Sequence, residues 1–285
     1  MKMLTNLFAG SAEGDRGGCP GNSIQVMYLN SFSRSGETLL LRVLDAHSDI
    51  HVLHQLYKLS DEGKELYDMF KVIKKQQPNC LKNNNKYLMQ IDLQGAHTLC
   101  VKNSIFENTR DHIGLILIRN PFSVCKSYLK MARHADIRKQ MSNWARNIDP
   151  RLLETVKSDD ALTAICALYN RKMSKLFFSG LPVLHYERFV QNPEVALKPV
   201  LARLGFHWEK RVLDSHLKYE KGHKGHGGMS LWKEINDSSV HSYRGMDEDS
   251  FRKIYGMCYP VMEMYGYELD RNNMLGIRDD YDCRV

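Results

Sequence analysis

The residues with the clearest chemical potential lie in one short turn, residues 31–38, which read SFSRSGET. Gly36 lets the main chain approach a ligand closely, and the first N–H groups of a following helix would point outward beside the positive end of its dipole. Arg34 adds guanidinium donors, and Ser35 and Thr38 add hydroxyls. This set fits a phosphate group, although the same turn would also suit an ordinary helix start. It is not a Walker A motif, because GxxxxGK[ST] is absent.

The residues around this turn predict a strand before it and a helix after it. Ile24–Leu29 is a short apolar run without a helical stripe, which is typical of a buried parallel strand. The stretch after Gly36 has the pattern of a helix to about His47. A strand, a turn of small residues and a helix form the opening of a βαβ unit.

A second group of polar residues follows another buried strand. Ile113–Ile118 reads as a strand, and Arg119, Asn120 and Pro121 come directly after it. Proline stops the strand, and residues 123–132 have a helical pattern that contains Ser127. Arg119 could bind a ligand or form a structural ion pair. We favour binding, since ligands in open α/β sheets collect at the carboxyl ends of the strands.

The remaining pattern alternates helices with strands. We expect a helix over residues 159–178, a strand over Leu181–His185 and a helix over Glu194–Leu204 that is closed by Gly205. This predicts an α/β fold, a P-loop-NTPase-like, mainly parallel sheet with helices on both faces. Residues 1–22 read as a flexible tail and residues 23–285 as a single domain. Residues 57–90 have no clear assignment.

Composition excludes some classes of protein. A chain of 285 residues with 43% hydrophobic and 26% charged residues can bury a core and is not globally disordered. The net charge of +7 suits anionic ligands without selecting one. The seven widely spaced cysteines lack a CxxC pair, and there is no long apolar run, so we expect a cytoplasmic protein without disulfides or a membrane segment.

Together these segments resemble the sulfotransferases that use 3′-phosphoadenosine 5′-phosphosulfate (PAPS). The run RSGETLLLRVLDAH is similar to their 5′-phosphosulfate loop, most closely in the branch of tyrosylprotein and carbohydrate sulfotransferases. Arg119-Asn120-Pro121 with Ser127 matches a second element of the family. Tyr186-Glu187 followed by a helix and Leu204-Gly205 matches a third. Glu37 departs from the usual threonine, and a carboxylate there would repel the donor unless it points away or serves the helix dipole.

The resemblance implies a sulfuryl transfer from PAPS to an acceptor hydroxyl, without a metal. In the family the arginine and serine of the second element bind the 3′-phosphate. Arg34 is the candidate for the charge that develops on the leaving 5′-phosphate. The residues expected to bind the donor are Arg34, Ser35, Gly36, Glu37, Thr38, Arg119, Ser127, Tyr186 and Lys224.

The acceptor hydroxyl also needs a base. Related enzymes place a Glu or His shortly after the first helix. Gln55 stands where the tyrosylprotein enzymes carry glutamate, so the adjacent His54 becomes the candidate, with an ordinary packing role as the alternative. His47, His51 and His54 do not share a helix, and no carboxylate or cysteine completes a metal site.

Two lysines have open roles. Lys102 stands where several relatives have an active-site lysine, but it could equally be a surface residue. Lys224 lies in a glycine-rich stretch, residues 221–230, which is either a mobile loop over the 3′-phosphate or a plain linker.

Other functions stay open. They are a P-loop-type kinase or NTPase, a nucleic-acid-binding protein, and a sulfotransferase relative that has lost its chemistry. The missing Walker lysine argues against the first, and the scattered basic residues argue against the second. We expect a carbohydrate or small-molecule acceptor and no nucleic-acid partner.

Overall fold

The structure is a computed structural model that describes residues 23–53, 80–82, 95–103, 113–132, 137–225, 228–270, 274–278 and 281. The predicted tail (residues 1–22), His54, Gln55 and most of residues 57–90 lie outside the described residues. The secondary-structure elements in chain order are β1 Ser23–Ser31, α1 Glu37–Leu44, β2 Ile50–Leu53, β3 Cys80–Lys82, β4 Thr98–Asn103, β5 Ile113–Ile118, α2 Pro121–Ala132, α3 Ile137–Ile148, α4 Leu153–Ser158, α5 Ala161–Phe177, β6 Val183–His185, α6 Tyr186–Gln191, α7 Pro193–Leu204, α8 Glu248–Met264, β7 Tyr267–Leu269 and β8 Leu275–Ile277.

The main sheet has the strand order β2-β4-β1-β5-β6, and all neighbours along this path are parallel. β3 pairs antiparallel with the start of β1. β1 lies in the centre because its residues are apolar or buried along nearly their whole length. Parallel strands that are covered on both faces need such continuous apolar runs.

The two faces of the sheet are covered by different helices. Ile116 and Ile118 of β5 pack in a core with α2, α3, α5 and α8, whereas Leu115 and Leu117 pack in a second core with α1, α6 and α7. This alternation follows from the two-residue period of a strand. The predicted α/β architecture, with helices on both faces of a mainly parallel sheet, is confirmed.

The ends of the elements differ slightly from the predictions. β5 has the predicted bounds, but α1 ends at Leu44 rather than near His47. The reason is visible in the main chain: Asp45 N donates to Leu41 O, whereas Ala46 N and His47 N bond only three residues back. The last turn therefore tightens and the helix stops.

None of the described helices is long and apolar enough to span a bilayer.

Candidate functional site

The functional side chains predicted from the sequence meet at one edge of the sheet. Ser31 of β1 is in register with Leu117 of β5, and Ile118 of β5 is in register with His185 of β6. Because these strands are parallel, the residues that follow each of them emerge side by side at the carboxyl edge. This topology brings the turn after β1, Arg119 and Tyr186 together, although they are far apart in the chain.

The turn after β1 adopts a conformation that exposes main-chain donors. Arg34 has a φ of 75° and Gly36 a φ of 99°, and Ser35 N donates to Phe32 O at 3.2 Å. Gly36 is the N-cap of α1, and no side chain caps this end of the helix. The first N–H groups of α1 are therefore left for a ligand, as at other anion-binding helix starts.

Gly36 also permits a close contact with Tyr186. A Cβ atom on Gly36 would lie 2.4 Å from both Cδ2 and Cε2 of the Tyr186 ring. The guanidinium of Arg119 also lies over this ring, with its Cζ 4.4 Å from the ring centroid. The Tyr186 hydroxyl forms a 2.6 Å hydrogen bond with Ser239 Oγ. Glycine is therefore required at this position by both conformation and space.

Arg119 ties three segments of the chain together. Its Nη1 donates to Arg34 O at 3.3 Å, and its Nη2 donates to Ser239 O at 2.7 Å and to Ser242 Oγ at 3.3 Å. The residue is 8% exposed, and its buried Nε has no partner among the described residues. Arg119 lines the cleft, and a guanidinium in such a place suits an anionic ligand.

Ser127 is the immediate neighbour of Arg34. Arg34 Nε donates to Ser127 Oγ at 2.9 Å. Since the hydroxyl oxygen accepts in this bond, its own proton remains able to donate to an anion. Arg34, Arg119 and Ser127, which the sequence places in two separate motifs, thus form one cluster.

Glu37 occupies the first position of α1 and is 4% exposed. Its Oε1 accepts a hydrogen bond from Ser31 Oγ at 3.1 Å and lies 3.6 Å from Nζ of Lys102, at the end of β4. The carboxylate is therefore held in place by a hydroxyl group and an ammonium group. Lys102 is largely buried and paired, so the surface role considered for it from the sequence is wrong.

A second layer of buried polar groups fixes the residue after Arg119. Asn120 donates to Glu187 Oε1 from its main-chain N at 3.0 Å and from Nδ2 at 2.7 Å, and its Oδ1 accepts from Ser123 N. Tyr267 donates to Glu187 Oε2 at 2.7 Å, and burial raises the pKa of this tyrosine. These bonds explain why Asn120 and Glu187 accompany the arginine and the tyrosine in the sequence.

The turn after β1, together with Arg119, Ser127 and Tyr186, lines an open cleft of about 600 Å³, a size typical of small-molecule sites. The lining residues are Arg34, Gly36, Glu37, Thr38, Leu39, Arg42, Arg119, Ser127, Tyr186, Gly228, Met229, Ser230, Lys233, Glu234, Asn236 and Ser238. Four of them are cationic and two are anionic. Because one of the two anions, Glu37, is paired with Lys102, the cleft favours an anionic ligand.

Arg42 is a cleft residue that the sequence reasoning did not identify. It is 1% exposed, and its Nη1 donates to Leu231 O and to Lys233 O, both at 2.7 Å. Desolvation by burial lowers the pKa of this guanidinium to about 10. The available signal was an arginine inside the leucine run of α1, a charge on a face that is otherwise apolar.

Most of the predicted donor-binding residues meet in this cleft, but not all of them. Ser35 is fully buried beneath the turn, and its Oγ has no partner among the described residues. Lys224 is exposed and does not line the cleft, although Met229 and Ser230 of the same loop do. A main-chain bridge joins Lys224 to Ser230, and Gly225 N donates to Met229 O at 2.7 Å. The roles of Lys224 and His54 stay predictions.

No group of three or more His, Cys, Asp or Glu side chains in the described part of the chain has a metal-binding arrangement. Cys100, Cys125, Cys166 and Cys258 are free and buried.

Comparisons with known proteins show which fold the chain has. No family model matches the chain, and no curated protein matches it significantly. Among solved structures, the chain is similar to the sulfotransferase domain of the Synechococcus PCC 7002 olefin synthase, with a TM-score of 0.55 and 17% identity over 87% of this chain and 96% of that domain. It is also similar to the sulfotransferase domain from the curacin biosynthetic pathway, with a TM-score of 0.51 and 15% identity over 83% of this chain and 97% of that domain. The chain therefore has the fold of sulfotransferase domains, as the sequence resemblance predicted.

Proposed function

We propose that the protein transfers a sulfuryl group from PAPS to an acceptor hydroxyl. The proposal rests on one observation: Arg34 contacts both Arg119 and Ser127, and it does so beside the start of α1, which no side chain caps. Arg34 Nε reaches Ser127, and Arg119 reaches the carbonyl of Arg34. Two motifs that resemble the two phosphate-binding elements of sulfotransferases thus line one cationic cleft, in a chain with the sulfotransferase fold.

The residues present fit a donor that carries a phosphate at each end. The first N–H groups of α1, together with Thr38, suit the 5′-phosphosulfate. Arg119 and Ser127 both line the cleft, and the guanidinium and the free hydroxyl proton suit the 3′-phosphate. PAPS binding to these residues is part of the proposal, since it is assigned from the resemblance and the chemistry of the side chains.

For this reaction the protein must mainly position the donor and the acceptor and supply positive charge. The bond between sulfur and the 5′-phosphate oxygen breaks while a bond forms between sulfur and the acceptor oxygen. The leaving oxygen gains negative charge, which the guanidinium of Arg34 would stabilise. Ser127 holds that guanidinium through Nε, and Arg119 fixes the main chain of Arg34 through its carbonyl, so little reorganisation is needed during the reaction.

We further propose a carbohydrate or small-molecule acceptor and a reducing, cytoplasmic setting. Four free, buried cysteines in the described residues agree with such a setting. His54, if it is the base, would complete the acceptor side from outside the described residues.

The decisive experiment combines ligand binding with sulfate transfer. Binding of PAP, the product nucleotide, is measured by thermal shift and calorimetry beside AMP and ATP. A ligand at 100 times its Kd contributes about 2.7 kcal/mol to stability, which a thermal shift resolves. We expect PAP to stabilise the protein far more than AMP, because AMP lacks the 3′-phosphate. Transfer is then followed with labelled PAPS over sugars, phenols, small alcohols and water.

Two variants make the test specific. Arg34→Met should lose PAP affinity and transfer, whereas Arg252→Met, which removes an exposed arginine on α8, should behave as the unmodified protein. ATP binding with no PAP binding would indicate a kinase or NTPase and refute the proposal. Tight PAP binding without any sulfate release would indicate a binding protein and refute the transferase activity.

A further inference from the structure

The carboxylate of Glu37 has no evident place in a cleft that binds an anion. A negative charge beside a phosphosulfate opposes binding. Yet the fold anchors it firmly through Ser31 at 3.1 Å and Lys102 at 3.6 Å. These contacts hold the side chain inside the wall of the cleft rather than turning it to solvent.

The two oxygens of this carboxylate are in different situations. Oε1 takes both the Ser31 hydrogen bond and the Lys102 contact. Oε2 has no hydrogen-bond partner among the described residues, and it is not among the buried polar atoms that lack one, so it keeps some access to solvent. Since Glu37 lines the cleft, this access is through the cleft. One oxygen is therefore a fixed anchor and the other is a free acceptor.

The position of Glu37 along α1 places it at the reacting end of the proposed donor. Gly36 and Thr38, on either side of it, line the same cleft and flank the N–H groups proposed to hold the phosphosulfate. Ser127 and Arg119, proposed for the 3′-phosphate, contact Arg34 instead of Glu37. Glu37 is thus beside the group that moves, not beside the rest of the nucleotide.

We propose that Glu37 is the catalytic base that takes the proton of the acceptor hydroxyl, an inference that rests on the proposed function. The acceptor O–H proton passes to Oε2 while the acceptor oxygen bonds to sulfur and the sulfur–phosphate oxygen bond breaks. The leaving nucleotide carries away the electron pair, faced by Arg34, and Glu37 later returns its proton to water. Lys102 and Ser31 are positioning residues for this carboxylate.

The test separates a base from a structural anchor, because the two roles move binding and turnover differently. Glu37→Gln keeps the shape of the side chain and an oxygen that can accept from Ser31, but it removes the base and the charge. General-base removal costs about 100-fold or more in turnover. Loss of a like charge near the donor should leave PAP binding equal or up to about tenfold tighter. A structural anchor would instead lose PAP affinity and turnover together.

Three further variants complete the design. Glu37→Thr carries the residue that the resembled family usually has, so it should fold even if Glu37→Gln does not. Glu209→Gln is the matched control, since Glu209 also accepts from a serine, Ser48, but does not line the cleft. His54→Ala tests the base predicted from the sequence. All variants are compared by PAP calorimetry and by labelled transfer from PAPS to the acceptor found in the screen and to water.

Turnover at least 30-fold lower in Glu37→Gln or Glu37→Thr, with PAP bound at least as tightly as in the unmodified protein, supports the inference. Turnover within threefold of the unmodified protein, or a parallel loss of PAP affinity, overturns it and leaves the proposed function intact. If the unmodified protein releases no sulfate to any acceptor or to water, the proposed function itself fails, and this inference fails with it.

Discussion

Replacing Gly36 with alanine probes the contact on which the geometry of the cleft depends. The added Cβ would lie 2.4 Å from two carbon atoms of the Tyr186 ring, well inside van der Waals contact, so the ring must move. The alanine would also have to adopt the φ of 99° found at Gly36. Because this angle lies in the left-handed region, it is unfavourable for any residue with a Cβ.

The expected cost follows from the contacts that the displaced ring loses. The backbone strain is about 1 kcal/mol. The hydrogen bond between Tyr186 and Ser239 and the stacking of Arg119 on the ring are each worth about 1 kcal/mol. We therefore expect Gly36→Ala to lower the free energy of unfolding by about 3 kcal/mol. PAP affinity should fall by about 100-fold, since the ring moves within the cleft and releases Arg119.

A double-mutant cycle with Tyr186→Ala separates the clash from the strain. Removing the ring abolishes the clash but leaves the unfavourable φ, so the double variant should be more stable than the sum of the two single changes predicts, by about 1 to 2 kcal/mol. Urea unfolding measures the stabilities and calorimetry measures PAP affinity. Additive effects in the cycle, or Gly36→Ala within 0.5 kcal/mol of the unmodified protein, would show that the close packing of Gly36 and Tyr186 does not exist.

Three other outcomes follow from the structure. Arg119→Lys should reduce PAP affinity by about 100-fold in calorimetry, because an ammonium group cannot reach Arg34 O, Ser239 O and the ligand together; affinity within threefold would contradict this. Arg42→Met should lower the free energy of unfolding by about 2 to 3 kcal/mol in urea titrations, since it leaves the carbonyls of Leu231 and Lys233 without their donor; an unchanged midpoint would contradict it. His185 is fully buried, its Nε2 donates to Tyr265 O at 2.7 Å, and its Nδ1 has no partner among the described residues, so desolvation lowers its pKa to about 4. The unfolded chain binds this proton near pH 6.5 and the folded chain only near pH 4, so the free energy of unfolding should fall by up to about 3 kcal/mol as the pH drops through this window. His185→Gln should flatten this part of the pH profile, and an unchanged slope would contradict the assignment.

The fold was largely predictable because its strands are short and uniformly apolar. Ile113–Ile118 has the same bounds in the prediction and in the structure, since a fully buried strand between a charged segment and a proline leaves little choice. The end of α1 was less predictable. Asp45 to His47 continue the helical pattern in the sequence, but the main chain there tightens into bonds three residues back.

The site was predictable where local turns and strand ends define it. Parallel strands deliver Arg34, Arg119 and Tyr186 to one edge, so knowing the motifs and the topology is enough to bring them together. Ser239 and Ser242 could not be predicted in the same way. They contact Arg119 across 120 and 123 residues of sequence, and no motif marks them.

Main-chain carbonyl groups in residues 228–242 fix two of the cationic groups of the cleft. Arg42 donates to the carbonyls of Leu231 and Lys233, and Arg119 donates to the carbonyl of Ser239. Carbonyl acceptors are present whatever the side chain, so the segment can hold both guanidinium groups with almost any sequence that follows the same path. This accounts for the lack of a readable code in residues 228–242, although seven of them line the cleft. The information for the site is therefore concentrated in the donors on α1 and directly after β5, whereas the acceptors that orient them come from the shape of the main chain.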